Sequence, residues 1–382
     1  MKKFYFLAAM ASVALASCVN EESVDYGLQE SNKAIVFNSP VMYGSSRVVG
    51  EIGTNGTYAV YPEDEHFSIF AMYSENEYST WDATGNVLWM DNVETAYDSG
   101  VNGWSSDAVT GGGIYYWPKK GYLTFAAYSP TRVQTNGNLA YGAKGLTVTG
   151  YQTPADGQQY DFMFSKRTFN QQGTNYTHTD DPYEGVDIVF QHALSAIRFK
   201  VKAAGTYTGT TININSIKVL NAYSKADFDE NLTDGSTYTK TAIWKNFASR
   251  NTVGYEVVKT NQDLTTTAVE ITDHNDLLMI PQAMLDNTDI KNSIKIEVKY
   301  TITNAGGAVI DQSYIINLAD TDANGTADYL QGKEGNETAA DIVEWEMGKR
   351  YTYYITVGLN KIYFNPIVED WTDVDVTSGI NI

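Results

Sequence analysis

Ile197-Arg198-Phe199-Lys200-Val201-Lys202 alternates apolar and cationic side chains without a break. A period of two puts Ile197, Phe199 and Val201 on one face of an extended chain and the three cations on the other, the pattern of a half-buried strand with one wet side. Ile294-Lys295-Ile296-Glu297-Val298-Lys299-Tyr300 repeats it, with every charge on one face. Two further runs, Phe67-Ser68-Ile69-Phe70-Ala71-Met72-Tyr73 and Tyr122-Leu123-Thr124-Phe125-Ala126-Ala127-Tyr128, carry the strand signal into the N-terminal half. Helical spacing is scarce, and Gly, Asn, Asp and Ser separate the runs. The 28 tyrosines, with abundant Thr, Val and Ile, suit pleated half-buried surfaces better than helices. The expected fold class is all-β, built as antiparallel β-sandwich. Polar stretches at 74–112, 131–158 and 165–185 are too long for hairpin turns and are expected as loops.

A chain of 382 residues exceeds one comfortable core, so two domains are expected. The boundary falls in the polar stretch Gln171 to Gly185, which carries Pro182 and is followed at Val186 by a new apolar run. This gives an N-terminal domain at 34–184 and a C-terminal domain at 185–382.

Ahead of them, Lys2 and Lys3, an apolar run from Phe4 to Leu15 and small residues follow the order of a secretory signal, placed at 1–17. The run is too short to span a bilayer. Leu15-Ala16-Ser17-Cys18 resembles the lipobox of bacterial lipoproteins, and Cys18 is the only cysteine, which excludes an intrachain disulfide. Acylation of Cys18 would anchor the chain in outer-membrane lipid, with residues 18–33 as a tether. Glu21, Glu22 and Asp25 resemble the acidic signal that sends some lipoproteins to the outer face of that membrane. The formal charge is −20, and losing Lys2 and Lys3 with residues 1–17 leaves the mature chain at −22. Such a surface repels phosphate backbones, which argues against a nucleic-acid partner and against polybasic attachment to lipid.

Catalysis finds no support. The one cysteine is assigned to lipid, no Gly-x-Ser-x-Gly elbow or phosphate loop is present, and His66, His178, His192 and His274 show no helical pairing. The chain is read as not an enzyme. His192, between Phe190 and Leu194, reads as a satisfied core histidine rather than a ligand. One segment has metal character: Asp320, Asp322, Asn324 and Asp328 place oxygen donors at the spacing of a calcium loop, with Gly325 at the sixth position. Its twelfth position is Gln331 instead of the bidentate Glu, and an Asx-rich turn is the alternative.

Several segments together resemble one family. They are Ile114-Tyr115-Tyr116-Trp117-Pro118, Leu123-Thr124-Phe125-Ala126-Ala127-Tyr128-Ser129-Pro130, Phe190-Gln191-His192-Ala193-Leu194-Ser195-Ala196-Ile197-Arg198-Phe199, Trp345-Glu346-Met347-Gly348-Lys349-Arg350-Tyr351-Thr352-Tyr353-Tyr354-Ile355, and Val368-Glu369-Asp370-Trp371. In order and spacing they resemble the fimbrillin-like proteins, which form type V pili and related surface lipoproteins. The resemblance implies two tandem transthyretin-like β-sandwich domains, a lipobox, other fimbrial subunits and a surface receptor as partners, and assembly by strand exchange. Trp117-Pro118 is expected to open a strand, and Trp345 and Trp371 to anchor cores.

In such pilins, cleavage after a basic residue releases the first strand. Arg47, in the small-residue stretch Gly44-Ser45-Ser46-Arg47-Val48, is the expected maturation site, with Lys33 competing. Ile35, Phe37, Ser39, Val41 and Tyr43 alternate along the segment that would leave. At the other end Val374, Val376, Ser378, Ile380 and Ile382 alternate with Asp375, Thr377, Gly379 and Asn381. This tail is expected to be a strand that pairs with a sheet edge in its own domain or in the next subunit, with Val374, Val376, Ile380 and Ile382 as donor side chains. A reading from another class is a glycan-binding outer-membrane lipoprotein of a polysaccharide uptake system. It rests on Trp81, Trp89 and Trp104, whose rings could stack on sugars or instead pack loops onto the sandwich.

Overall fold

The computed structural model describes residues 30–42, 61–77, 87–142, 145–154, 159–165, 167–175, 185–230, 243–257, 262–271, 276–319, 342–359 and 362–370. Among these the regular structure is all strand, with three short 3₁₀ turns and no α-helix. In Ser195–Ala203 the residues Ile197, Phe199 and Val201 are fully buried while Arg198, Lys200 and Lys202 are only partly so, as the period of two requires.

The N-terminal half is centred on Phe67–Ser74, flanked by Val87–Asp98 on one side and Tyr122–Ser129 on the other. Beyond Tyr122–Ser129 the sheet continues through Met163–Ser165 and Val189–His192 to Val41–Met42. Its central strands are buried on both faces. Phe67, Ile69, Leu123 and Phe125 pack into one cluster with Phe37, Trp104 and Trp117. Phe70 and Tyr128, of opposite parity, pack into a second cluster with Leu146, Tyr151, Phe228 and Trp244. This double burial explains why these strands read as near-continuous apolar runs rather than clean alternation. The second face is covered by a four-stranded sheet that draws Asn138–Gly142 and Gly145–Gln152 from before residue 185, and Tyr223–Asp229 and Trp244–Arg250 from after it.

The C-terminal half packs two sheets over Phe199, Ile217, Val298, Trp345 and Tyr353. One runs from Val269–Glu270 through Ser195–Ala203 and Lys349–Val357 to Ile362–Asp370. The other runs from Tyr255–Val257 and Gln262–Asp263 through Thr211–Leu220 and Lys295–Thr303 to Val309–Asn317. Trp345 is buried as expected, its indole N–H donating to the Tyr353 hydroxyl at 2.8 Å.

Four features differ from a plain reading of the sequence. Most ladders are antiparallel, but Ser195–Ala203 pairs parallel with Lys349–Val357, and Val41–Met42 pairs parallel with Val189–His192; these partners are far apart in sequence, which gives the chain room to cross over. The polar stretches 74–112 and 131–158 are not only loops. They hold the long strand Val87–Asp98 and the hairpin of Asn138–Gly142 with Gly145–Gln152. In Val87–Asp98 the left-handed Asn92 (φ 51°) interrupts the alternation, and the register slips opposite Ile69, Ala71 and Met72. Pro118 ends the strand Tyr116–Pro118 instead of opening one. The position 184/185 is spanned by ladders, because Val189–His192 belongs to the N-terminal sheet.

Candidate functional site: the seat of the first strand

Residues 30–42 are threaded into the N-terminal half. Glu30–Ala34 pairs antiparallel with Tyr116–Pro118, and the Ile35 N–H donates to the Tyr115 carbonyl at 2.8 Å. Phe37 is then bonded on both sides. It exchanges two bonds with Trp104, at 2.9 and 2.8 Å, and on the other side forms a parallel bridge with Val186, through Asn38 N–H to Val186 O at 3.1 Å and Val186 N–H to Val36 O at 2.8 Å. At Phe37 the segment is therefore bridged on both edges, while Glu30–Ala34 and Val41–Met42 each pair on one side. Its side chains follow suit: Ile35 and Phe37 are buried, and the Phe37 ring stands edge-on to Phe67 at 6.1 Å and to Phe125 at 5.6 Å.

Asn38 fastens the end of this seat. Its amide donates to Asp187 Oδ1 at 2.8 Å and its oxygen accepts from the Gly185 N–H at 2.8 Å. Two glycines set the width of the slot. A Cβ on Gly103 would stand 2.6 Å from the Phe37 carbonyl oxygen, and one on Gly185 would stand 2.7 Å from the backbone of Val36, Phe37 and Asn38. Backbone cannot yield to such contacts without moving the strand, so Gly185→Ala is expected to cost about 1–3 kcal/mol. Gly113→Ala, where nothing lies within 4 Å, is the matched control and should change little. Equal urea midpoints for the two variants would contradict this account of the slot.

Next to the seat, Tyr61 packs on Phe67, Trp104 and Phe190, donates to the His66 carbonyl at 3.0 Å and lies 2.6 Å from Ser129 Oγ. Burial pushes its hydroxyl well above the ordinary tyrosine range, so it stays neutral and acts as a packing group. His192 is buried with Nδ1 2.7 Å from Asp161 Oδ2, a satisfied core histidine. Among the described residues no group of three or more His, Cys, Asp or Glu could hold a metal.

Lys33 is tied to the 3₁₀ turn Gly173–Asn175, its Nζ donating to the Gly173 carbonyl at 3.0 Å. Trp104 is fully buried and cannot present a face to a sugar. Trp89 is half-buried, with its N–H committed to the Tyr116 carbonyl at 3.0 Å and its ring 6.0 Å from Tyr73. Cys18, Arg47, Trp81, Asp320, Asp322, Asn324, Asp328, Trp371, Val374, Val376, Ile380 and Ile382 lie outside the described residues. Asn38, Gly103 and Gly185 were not singled out from the sequence. Glycines in polar stretches look like turn residues, and only the register shows that a strand passes over them.

With this geometry in hand, residues 46–371 match the fimbrillin-like family. No curated protein matches at a significant level. Among solved structures, a fimbrial protein from Bacteroides vulgatus superposes with a TM-score of 0.53 at 17% identity, covering 89% of this chain and 100% of the other. The tip fimbrial protein Mfa3 from Porphyromonas gingivalis, with a C-terminal truncation, gives a TM-score of 0.33 at 14% identity, covering 80% of this chain and 94% of that one.

Proposed function

Because this chain belongs to the fimbrillin-like family, we propose that it is a fimbrial subunit or fimbria-associated adhesin assembled by strand exchange after loss of its first strand. The observation that carries this reading is the pair of bridges that holds Phe37 on both edges. Residues 30–42 complete a sheet they are joined to only through the chain that follows, and Arg47 lies in that continuation. A cut there leaves the strand held by hydrogen bonds and by its buried side chains, Ile35 and Phe37, alone. Its departure opens two strand edges, along Trp104 and Val186, above an apolar trench. Unpaired edges of that kind recruit a replacement strand. A tail from another copy with Val374, Val376, Ile380 and Ile382 on one face suits the vacated pockets. Such a contact is head-to-tail, does not close, and grows a filament.

Family membership supports a cell-surface or fimbrial location. Acylation of Cys18 would hold the uncut chain to the outer membrane, and cleavage would free it from the anchor along with the strand. Partners on this reading are other fimbrial subunits and a surface receptor.

Treating the folded protein with an arginine-specific protease is expected to give one early cut, after Arg47, followed by oligomers in size exclusion and fibres in electron micrographs. Arg47→Ala should abolish both. Early cutting elsewhere, or a clean Arg47 cut that leaves only monomer, would overturn the mechanism. The assignment of Asp320, Asp322, Asn324 and Asp328 to calcium is a separate proposal, for which calorimetric titration should show heat and chelator should lower the melting temperature.

A further inference from the structure

One corner of the core beside Val189–His192 is polar. Asn136, which follows the 3₁₀ turn Thr131–Thr135, meets Tyr151 near the end of Gly145–Gln152 and the neighbouring residues Tyr160 and Asp161. Backbone bonds fix these segments: Gln152 N–H donates to the Asn136 carbonyl at 2.9 Å, and Thr153 N–H to the Ser224 carbonyl at 2.8 Å. The Tyr151 ring is fully buried against Phe162 at 5.6 Å and Trp244 at 5.4 Å, so its hydroxyl cannot swing out to solvent.

Among the described residues, Asn136 Nδ2, Tyr151 Oη, Tyr160 Oη and Asp161 Oδ1 are buried atoms without a hydrogen-bond partner. They are not scattered. The Asn136 amide and the Tyr151 hydroxyl are polar neighbours of the Tyr160 hydroxyl, and Asp161 bears on the Tyr151 hydroxyl, yet no two of these atoms meet at the length and angle of a hydrogen bond. Burial pushes both phenols up, that of Tyr160 to about 12, so each keeps its proton and can donate as well as accept. A buried donor or acceptor left unpaired costs its desolvation, and native cores carry few of them. Four in one corner point to a bound group that pairs them.

That group must accept from the Asn136 amide nitrogen, which only donates, and donate to the carboxylate oxygen, which only accepts. A metal cation would face the amide hydrogens and lie near the Arg132 guanidinium, whose carbon stands 4.8 Å from the Tyr160 ring centroid. An anion would face Asp161. We propose that this corner is a binding site for ordered water, with one molecule bonded to Asn136 Nδ2, Tyr151 Oη and Tyr160 Oη, and with Asp161 Oδ1 accepting a hydrogen from the same cluster. Three partners is the usual number for a buried water. The other oxygen of Asp161 lies 2.7 Å from His192 Nδ1, and Val189–His192 is the strand on which Val41–Met42 lies. The water therefore buttresses the strand beside the first-strand seat, in the uncut chain and whether or not the chain assembles.

The test uses the intact chain and the variants Tyr151→Phe and Tyr160→Phe, which keep the rings and remove the hydroxyls. Each is expected to lower the urea midpoint, because a bound water loses a partner. In a dry corner the sign reverses, since deleting an unpaired hydroxyl removes a desolvation cost. The double variant should lose less than the two single variants added together, because both hydroxyls share one water. A crystal structure of the intact protein gives the direct readout, with a water expected within hydrogen-bond distance of both hydroxyls and of Asn136. An unchanged or raised midpoint, strict additivity, a metal or anion at that position, no density there, or side chains turned to pair directly with one another would each overturn the proposal.

Discussion

Phe37→Ala is expected to lower the unfolding free energy by about 3–5 kcal/mol, the range for removing a fully buried phenylalanine. The ring is 1% exposed and stands edge-on to two other buried rings, so its loss removes transfer energy and leaves a cavity that Phe67 and Phe125 cannot fill without leaving their own packing. The backbone bridges to Trp104 and Val186 do not involve the ring and should survive. The denaturant midpoint should therefore fall with the slope unchanged. Phe37→Leu should recover most of the loss, and Asn38→Ala should cost less, about 1–2 kcal/mol, because it removes polar bonds and no core volume. A cost below about 1 kcal/mol for Phe37→Ala would mean that the first strand does not hold the N-terminal core together, contrary to its burial.

The same substitution bears on assembly. In the proposed assembly, a chain cut at Arg47 keeps residues 30–42 as a bound segment whose exit rate is set by contacts broken on leaving, and Phe37 is the largest of these. Phe37→Ala should shorten the lag before oligomers appear in cut protein while leaving uncut protein monomeric. Gly185→Ala should do the same by crowding the strand directly. The mechanism thus separates contacts that keep the first strand in place from the covalent link that keeps it there in the uncut chain.

Ser195–Ala203 and Lys295–Thr303 were legible in the sequence because each buries one face only, so alternation of charge and apolarity reports burial directly. Phe67–Ser74 was legible for the opposite reason, a short run buried on both faces. Val87–Asp98 was not, because the polar residues Asp91, Asn92 and Glu94 break its apolar pattern and the left-handed turn at Asn92 shifts the period midway. The pairing of Tyr223–Asp229 with Gly145–Gln152 was hidden as well, since nothing local ties strands so far apart in sequence. For the candidate site, the alternation of Ile35 and Phe37 marked the buried positions, but their neighbours did not announce themselves. That Gly103 and Gly185 form the slot, and that Lys33 is bound to the Gly173 carbonyl, depends on contacts across more than sixty residues and is a property of the assembled core.

Asp276→Ala is expected to cost about 3 kcal/mol or more, the scale for breaking a buried ion pair from one side. Asp276 lies outside the strands it joins. Its Oδ1 accepts from Arg198 Nε at 2.7 Å and its Oδ2 accepts from Arg350 Nε at 2.8 Å, which ties Ser195–Ala203 to Lys349–Val357 across their parallel ladder. The carboxylate and the Arg350 side chain are 6% and 8% exposed. Removing the carboxylate takes a buried acceptor from both guanidinium groups, and at Arg350 water has little access to substitute. Arg198 keeps Glu270 at 3.2 Å after the substitution. Arg350→Met in the Asp276→Ala background should therefore recover stability, and the cycle should be non-additive by about 1–3 kcal/mol. High salt should leave the effect nearly intact, because a pair this buried is poorly screened. If the effects of the two single variants simply add, Asp276 and Arg350 do not act together as a clamp between the parallel strands.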